Sequence, residues 1–219
     1  MDLPKPILCL VTDASVLGEW PLLDTVDKAV AGGVNLVQLR DRHLPARDLS
    51  ALACELRAVT RGRAFLFVND RIDVALAAEA DGVQLPEAGM PVEAVRRIAG
   101  DRLLIARSVH DVEGAVAAEA EGADLLIVGT IFATATHPVR SPQGTKLLGE
   151  MSGSVGVPYL GIGGITAENA GEVMESGASG VAVITAVTES DAPRLAAHEL
   201  AAEVRRSWAA AKATTTVQS

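Results

Sequence analysis

The chain of 219 residues carries 19 lysines and arginines against 28 aspartates and glutamates, a net charge of −9, with 49% hydrophobic and 21% charged residues. That length and apolar content suffice for one sizeable core, and 20 glycines with 10 prolines exclude a collagen-like or disordered polymer. The acidic balance argues against a sequence-independent nucleic-acid binder, so a phosphate ligand must be met by a local pocket.

Two cysteines, Cys9 and Cys54, are too few for a disulfide scaffold and read as small thiols in apolar stretches. The opening MDLPKPILCLVTD lacks a charged leader and a small-residue cleavage site, and nowhere do 18 apolar residues run uninterrupted. A cytoplasmic protein without a membrane or nucleic-acid partner is expected.

One pattern recurs along the chain: an alanine-rich amphipathic segment, a glycine-containing turn, then a short β-prone apolar run. AGGVNLVQLR (31–40), EADGVQLP (79–86), EGADLLIVG (121–129) and SGASGVAVIT (176–185) show it best. Each reads as a helix ended by a left-handed glycine and followed by a strand buried on both faces. Completing the series predicts strands at Ile7–Thr12, Leu36–Arg40, Phe65–Asn69, Gly82–Leu85, Leu103–Ser108, Leu125–Gly129, Tyr159–Gly163 and Gly180–Ile184, with helices between them. Eight alternations without a composition break predict an α/β fold, a compact single-domain (β/α)8 TIM barrel over residues 1–212. An open doubly wound sheet is the alternative, weakened by the absence of GxGxxG after the first strand. The last helix is expected at Ala192–Lys212, with residues 213–219 as a disordered tail.

In such a barrel, ligands bind where the strands end. After the second strand Gln38, Arg40 and Arg42 share one face by period two, giving two guanidiniums for a carboxylate or phosphate. The third strand ends in Asn69 and Asp70, where Asp70 is either a helix cap or a ligand. The fifth ends in Arg107, Ser108, Val109 and His110 before Asp111 opens a helix, so His110 is either a general base or a rim residue. Beyond the sixth strand, Thr130 leads into a long polar loop, Ala133–Gly144, with Thr134, Thr136, His137 and Arg140, which is read as a lid. Gly161, Gly163 and Gly164 after the seventh strand, with Thr166 as a helix cap, and Ile184 and Thr185 after the eighth, form the expected phosphate cradle.

The succession LVTD, VQLRDR, FVND, ADGVQLP, RSVH, VGTIF with TATHP, GIGGIT and GVAVIT, from Ile7 to Val187, resembles the thiamine phosphate synthase and TenI superfamily of small (β/α)8 barrels. The resemblance implies one of two chemistries: Mg2+-dependent joining of an aminopyrimidine pyrophosphate to a thiazole phosphate, or isomerisation of a carboxythiazole phosphate tautomer to its aromatic form. It also implies, for a synthase, Q-x-R-x-K, N-D, G-Q-E-D and T-x-T-K. Gln38, Arg40, Asn69 and Asp70 match, whereas the lysines become Arg42 and His137, and the second metal-ligand position becomes Gly89.

With Asp70 left as a lone and doubtful metal ligand, and with VQLP, RSVH and Arg-x-Arg looking like the TenI branch, the expected activity is a thiazole tautomerase, an isomerase needing no cofactor. The branch's histidine after the sixth strand is Thr130 here, so His137, with His110 and Ser108 nearby, is the expected catalytic set. Gln38, Arg40, Arg42, Asn69, Asp70, Thr130, Thr134 and Thr136 are the expected substrate contacts. The alternatives are the synthase, a transferase using Mg2+, and a non-catalytic phosphate-binding regulator. The sequence also leaves a homodimer open.

Overall fold

The apolar runs pair into a closed ring. The computed structural model describes residues 3–13, 16, 21–134 and 141–217, with side chains to residue 213. Its strands are β1 Ile7–Val11, β2 Leu36–Leu39, β3 Phe65–Asn69, β4 Gly82–Leu85, β5 Leu104–Val109, β6 Leu125–Gly129, β7 Tyr159–Ile162 and β8 Gly180–Val183. All neighbours are parallel, and β8 returns to β1 with Ile7 beside Gly180, which closes the barrel and excludes the open sheet.

The helices are α1 Leu22–Gly32, α2 Ala46–Thr60, α3 Ile72–Ala77, α4 Val92–Ala99, α5 Val112–Ala120, α6 Lys146–Met151, α7 Ala170–Glu175, α8 Thr185–Thr188 and α9 Pro193–Val217. Alternate strand residues face two separate cores. Ile7, Cys9, Leu36, Phe67, Leu125 and Leu160 fill the barrel interior, while Leu8, Leu10, Val37, Leu66 and Val83 pack outward under the helices. Phe67 is among the largest fully buried side chains, and a Cβ at Gly82 would stand 2.6 Å from its ring, so glycine on β4 makes room for it.

The recurrent turn in the sequence has a second purpose at the strand entrances. Its polar residue just before β2, β4 or β6 caps the preceding strand: Asn35 Oδ1 accepts from Leu8 N (2.9 Å), Asp81 from Leu66 N (2.8 Å) and Asp124 from Ile105 N (2.7 Å). Arg57 on α2 then pairs bidentately with Asp81 (2.7 and 3.2 Å), and Arg96 on α4 with Asp124 (2.6 Å). The N–H groups of Leu8, Leu66 and Ile105 are thereby satisfied, and two helices are tied to the sheet.

Two local expectations need correction. Thr166 does not cap α7. That helix starts at Ala170 after a turn in which Asn169 Oδ1 accepts from Thr166 N and Asn169 Nδ2 donates to Gly164 O, both at 2.9 Å. The final helix runs past Lys212 to Val217, and residues 218–219 lie outside the described set.

Candidate active site

The strands end around a cavity of about 350 Å³. Its floor is apolar, from Val11, Ile127, Ile162 and Ala182, and the layer above it on β2 to β5 is polar. Period two lifts Gln38 above Leu36, Asn69 above Phe67, Gln84 above Gly82 and Ser108 above Ala106. These four side chains are hydrogen-bonded to one another. Gln38 Nε2 donates to Asn69 Oδ1 (3.2 Å) and Gln84 Oε1 (3.0 Å), and Gln84 Nε2 donates to Ser108 Oγ (2.6 Å).

The rim holds the charges. Arg40 lines the cavity but is ion-paired with Asp13, and its N–H donates to Thr12 Oγ1 (3.0 Å), which fixes the chain as it leaves β2. Arg42 also lines the cavity, is exposed, and has no carboxylate partner among the described residues. Across the mouth, Arg107 donates to the carbonyls of Met90 (3.0 Å) and Glu87 (2.9 Å), fastening the loop after β4. Glu87 Oε2 lies 3.4 Å from His110 Nε2, and His110 Nδ1 contacts the Gly129 carbonyl. A carbonyl only accepts, so Nδ1 carries the proton and Nε2 faces Glu87.

Asp70 stands on the exposed rim, outside the cavity lining, with φ 55°. A Cβ at Gly89 would approach Asp70 Oδ1 to 3.0 Å, so position 89 does face this carboxylate but contributes no ligand. Among the described residues no group of three or more His, Cys, Asp or Glu side chains is placed to hold a metal. A lone carboxylate does not fit a resident ion; it does fit Mg2+ shared with a substrate's phosphates, which commonly uses one or two carboxylates.

Beyond β7, Gly163 (φ 106°) and Gly164 (φ 63°) adopt backbone conformations that favour glycine. A Cβ on Gly164 would lie 2.4 Å from Ala133 O, and one on Gly163 2.6 Å from Thr130 Cγ2. Among the described residues no backbone carbonyl accepts from the N–H of Gly163, Gly164 or Thr185, and all three residues line the cavity. The polar loop after β6 is pinned at both ends: Phe132 N donates to Gly163 O (3.0 Å), Gln143 N to Thr130 O (2.9 Å) and Gly144 N to Ile131 O (3.0 Å).

The cavity thus brings together Gln38, Arg40, Arg42, Asn69, Ser108, His110, Thr130, Thr134, Gly163, Gly164, Ile184 and Thr185 from the expected set. Gly161 does not join them, because a Cβ there would meet Val173 of α7 at 2.7 Å, on the outer side of β7. Thr136, His137 and Arg140 lie outside the described residues. Sequence reading passes over Gln84, although a buried glutamine at an inward position of an otherwise apolar strand is a visible signal.

Comparison with known proteins separates the two chemistries. The family profile described as Thiamine monophosphate synthase matches residues 8–187. A thiamine-phosphate synthase of Roseiflexus sp. (strain RS-1) is 43% identical over 90% of this chain and 85% of its own length. One from Haloarcula marismortui is 43% identical over 90% of this chain and 96% of its own. The thiamine phosphate pyrophosphorylase of Pyrococcus furiosus superposes with a TM-score of 0.85 at 38% identity, covering 93% of this chain and 97% of the other.

These relatives overturn the expected thiazole tautomerase and with it the isomerase class: they carry the name of the synthase, a transferase, at identities spread over nearly the whole barrel. With the barrel, the mouth and the relatives in agreement, the chain belongs to the thiamine monophosphate synthase family.

Proposed function

We propose that this protein is a thiamine-phosphate synthase, joining hydroxymethylpyrimidine pyrophosphate to thiazole phosphate and releasing pyrophosphate. The observation that carries the reading is the 43% identity with a thiamine-phosphate synthase over 90% of this chain. The pocket supports it with two separate anion receivers, as two phosphorylated substrates require: Arg42 beyond β2, and the N–H groups of Gly163, Gly164 and Thr185 beyond β7 and β8.

The glycine cradle takes the thiazole phosphate through backbone donors, and Arg42 meets the pyrophosphate in fork geometry. Arg40, already neutralised by Asp13, orients the rim rather than adding free charge. The aminopyrimidine lies against the Gln38, Asn69 and Ser108 layer. The thiazole nitrogen lone pair forms the new bond to the pyrimidine methylene carbon, and the carbon–oxygen bond breaks with its electron pair leaving on pyrophosphate. Asp70 is the residue that would hold Mg2+, which when bound would supply neutralisation of the leaving group's charge.

Incubating the purified protein with both halves and Mg2+ should yield thiamine phosphate and pyrophosphate in equal amounts, followed by fluorescence after oxidation and by a phosphate-release assay. Absence of both products would refute the proposal.

A further inference from the structure

The polar layer over the floor has a direction, and one residue sets it. Gln84 is 4% exposed, and its Nε2 donates to the carbonyl of Leu85 (3.0 Å) as well as to Ser108 Oγ (2.6 Å). A backbone carbonyl can only accept, so the amide cannot flip without placing oxygen against oxygen. With Nε2 held there, Oε1 must face Gln38, which in turn must present its NH2 group. That group donates to Gln84 Oε1 (3.0 Å) and Asn69 Oδ1 (3.2 Å), turning Asn69 Nδ2 away.

Three groups then have no partner within the layer: Gln38 Oε1 as acceptor, Asn69 Nδ2 as donor, and the Ser108 hydroxyl proton as donor. Among the described residues the one sealed side-chain polar atom without a partner is Arg57 Nε, on the far side of the sheet, so Gln38 Oε1 and Asn69 Nδ2 are not sealed orphans, and their residues line the cavity together with Ser108. The surface offers an acceptor beside donors. An aminopyrimidine edge placed with its amine N–H on Gln38 Oε1 and its ring nitrogen on a neighbouring donor is its complement; in that same placement the 4-oxo edge sets its carbonyl against Gln38 Oε1 and its ring N–H against a donor.

We propose that Gln84 is a positioning residue whose amide, fixed by the Leu85 carbonyl, sets the donor and acceptor polarity with which the cavity distinguishes an aminopyrimidine from its oxo counterpart. The choice of ligand rests on the synthase reading; the polarity of the layer does not. Gln84 acts through Gln38 and Ser108 and need not touch the ring.

The test uses the whole protein and two probes, 4-amino-5-hydroxymethyl-2-methylpyrimidine pyrophosphate and its 4-oxo analogue, titrated by calorimetry. The unaltered protein should prefer the amino compound by about 100-fold, since a site built to bond a polar edge leaves its own groups unpaired with the wrong one. Gln84→Glu, which keeps the shape and accepts only, should compress that preference below about tenfold and raise the KM for the pyrimidine substrate, leaving the KM for thiazole phosphate within about twofold. A general loss of packing would move both KM values together. Gln84→Met provides the same test without a charge.

In the ligand-free protein, the Gln84 side-chain amide protons should exchange with solvent at least about 100-fold more slowly than those of the exposed Gln143. Fast exchange at Gln84, an undiminished preference in both variants, or failure of the unaltered protein to discriminate would each overturn the proposal. Discrimination without product formation would instead refute the synthase reading and leave the polarity of the layer standing.

Discussion

Two thiols of the same chain meet opposite surroundings. Cys9 points into the barrel interior, fully buried, and burial pushes its thiol far above the ordinary range, whereas Cys54 is exposed on α2. The nucleophile is the thiolate, so raising pH within the folded range should not make Cys9 reactive. A disulfide reagent should therefore modify one thiol per native chain and two after denaturation; two modified in the folded protein would place Cys9 within reach of solvent. Gly164 is the other residue whose environment permits little. Its φ of 63° and the 2.4 Å approach of Ala133 O leave no room for a side chain. Gly164→Val should cost about 2 kcal/mol of stability through strain and displacement of the Phe132–Ala133 turn. Thiazole phosphate affinity should fall at least about 100-fold if the glycine amides hold the phosphate, and calorimetry showing unchanged affinity would move the anion elsewhere.

At the scale of elements, the alternation of helix, glycine turn and apolar run was legible because each component obeys a local rule. Strand periodicity, left-handed glycine and continuous burial are all written within a few residues of one another. What was not legible is long-range. The aspartates of EADG and EGAD look like ordinary turn residues, yet Asp81 and Asp124 cap strands many residues away and pair with Arg57 and Arg96. Gln84 escaped for a similar reason: its importance lies in two side-chain partners, on β2 and β5, and in its own strand's next carbonyl. His137, the residue weighted most heavily from the motifs, falls outside the described residues, so the fold tests neither its place nor its role. The capping device carries a prediction. The side chains of Arg57 and Asp81 are 18% and 13% exposed, so Asp81→Ala would leave a largely buried guanidinium and the Leu66 N–H without their acceptor. Such losses typically cost about 3 kcal/mol. Thermal unfolding should drop by several degrees, whereas breaking the exposed Arg61–Glu79 pair nearby should scarcely register; equal effects would mean that the Asp81 cap does not hold β3 to α2.

Considered as a whole, the molecule carries −9 and is proposed to accept two phosphorylated substrates, so its long-range field opposes their approach. Attraction must come from groups within about a Debye length of the mouth, roughly 8 Å at physiological salt. Arg42 and the glycine amides act at that range, and they leave much of a pyrophosphate's charge unanswered. A divalent cation arriving on the substrate would answer it, and under the proposed function Asp70 alone would hold that ion, because position 89 is glycine. Synthase turnover should therefore vanish in chelator and return with Mg2+, at a half-saturating concentration set more by the pyrophosphate than by the protein. The virtual Cβ of residue 89 already stands 3.0 Å from Asp70 Oδ1, so a carboxylate placed there points at the same space, with Pro86 at 2.9–3.0 Å as the neighbour that must yield. Gly89→Asp should lower the half-saturating Mg2+ concentration about tenfold, or about 1.4 kcal/mol. Gly89→Ala, with the same backbone constraint and no ligand, should leave that concentration where it was. If the aspartate variant binds Mg2+ no better than the alanine variant, the ion is not held beside Asp70, and the charge of the leaving pyrophosphate must be met elsewhere on the rim, with Arg42 the first candidate.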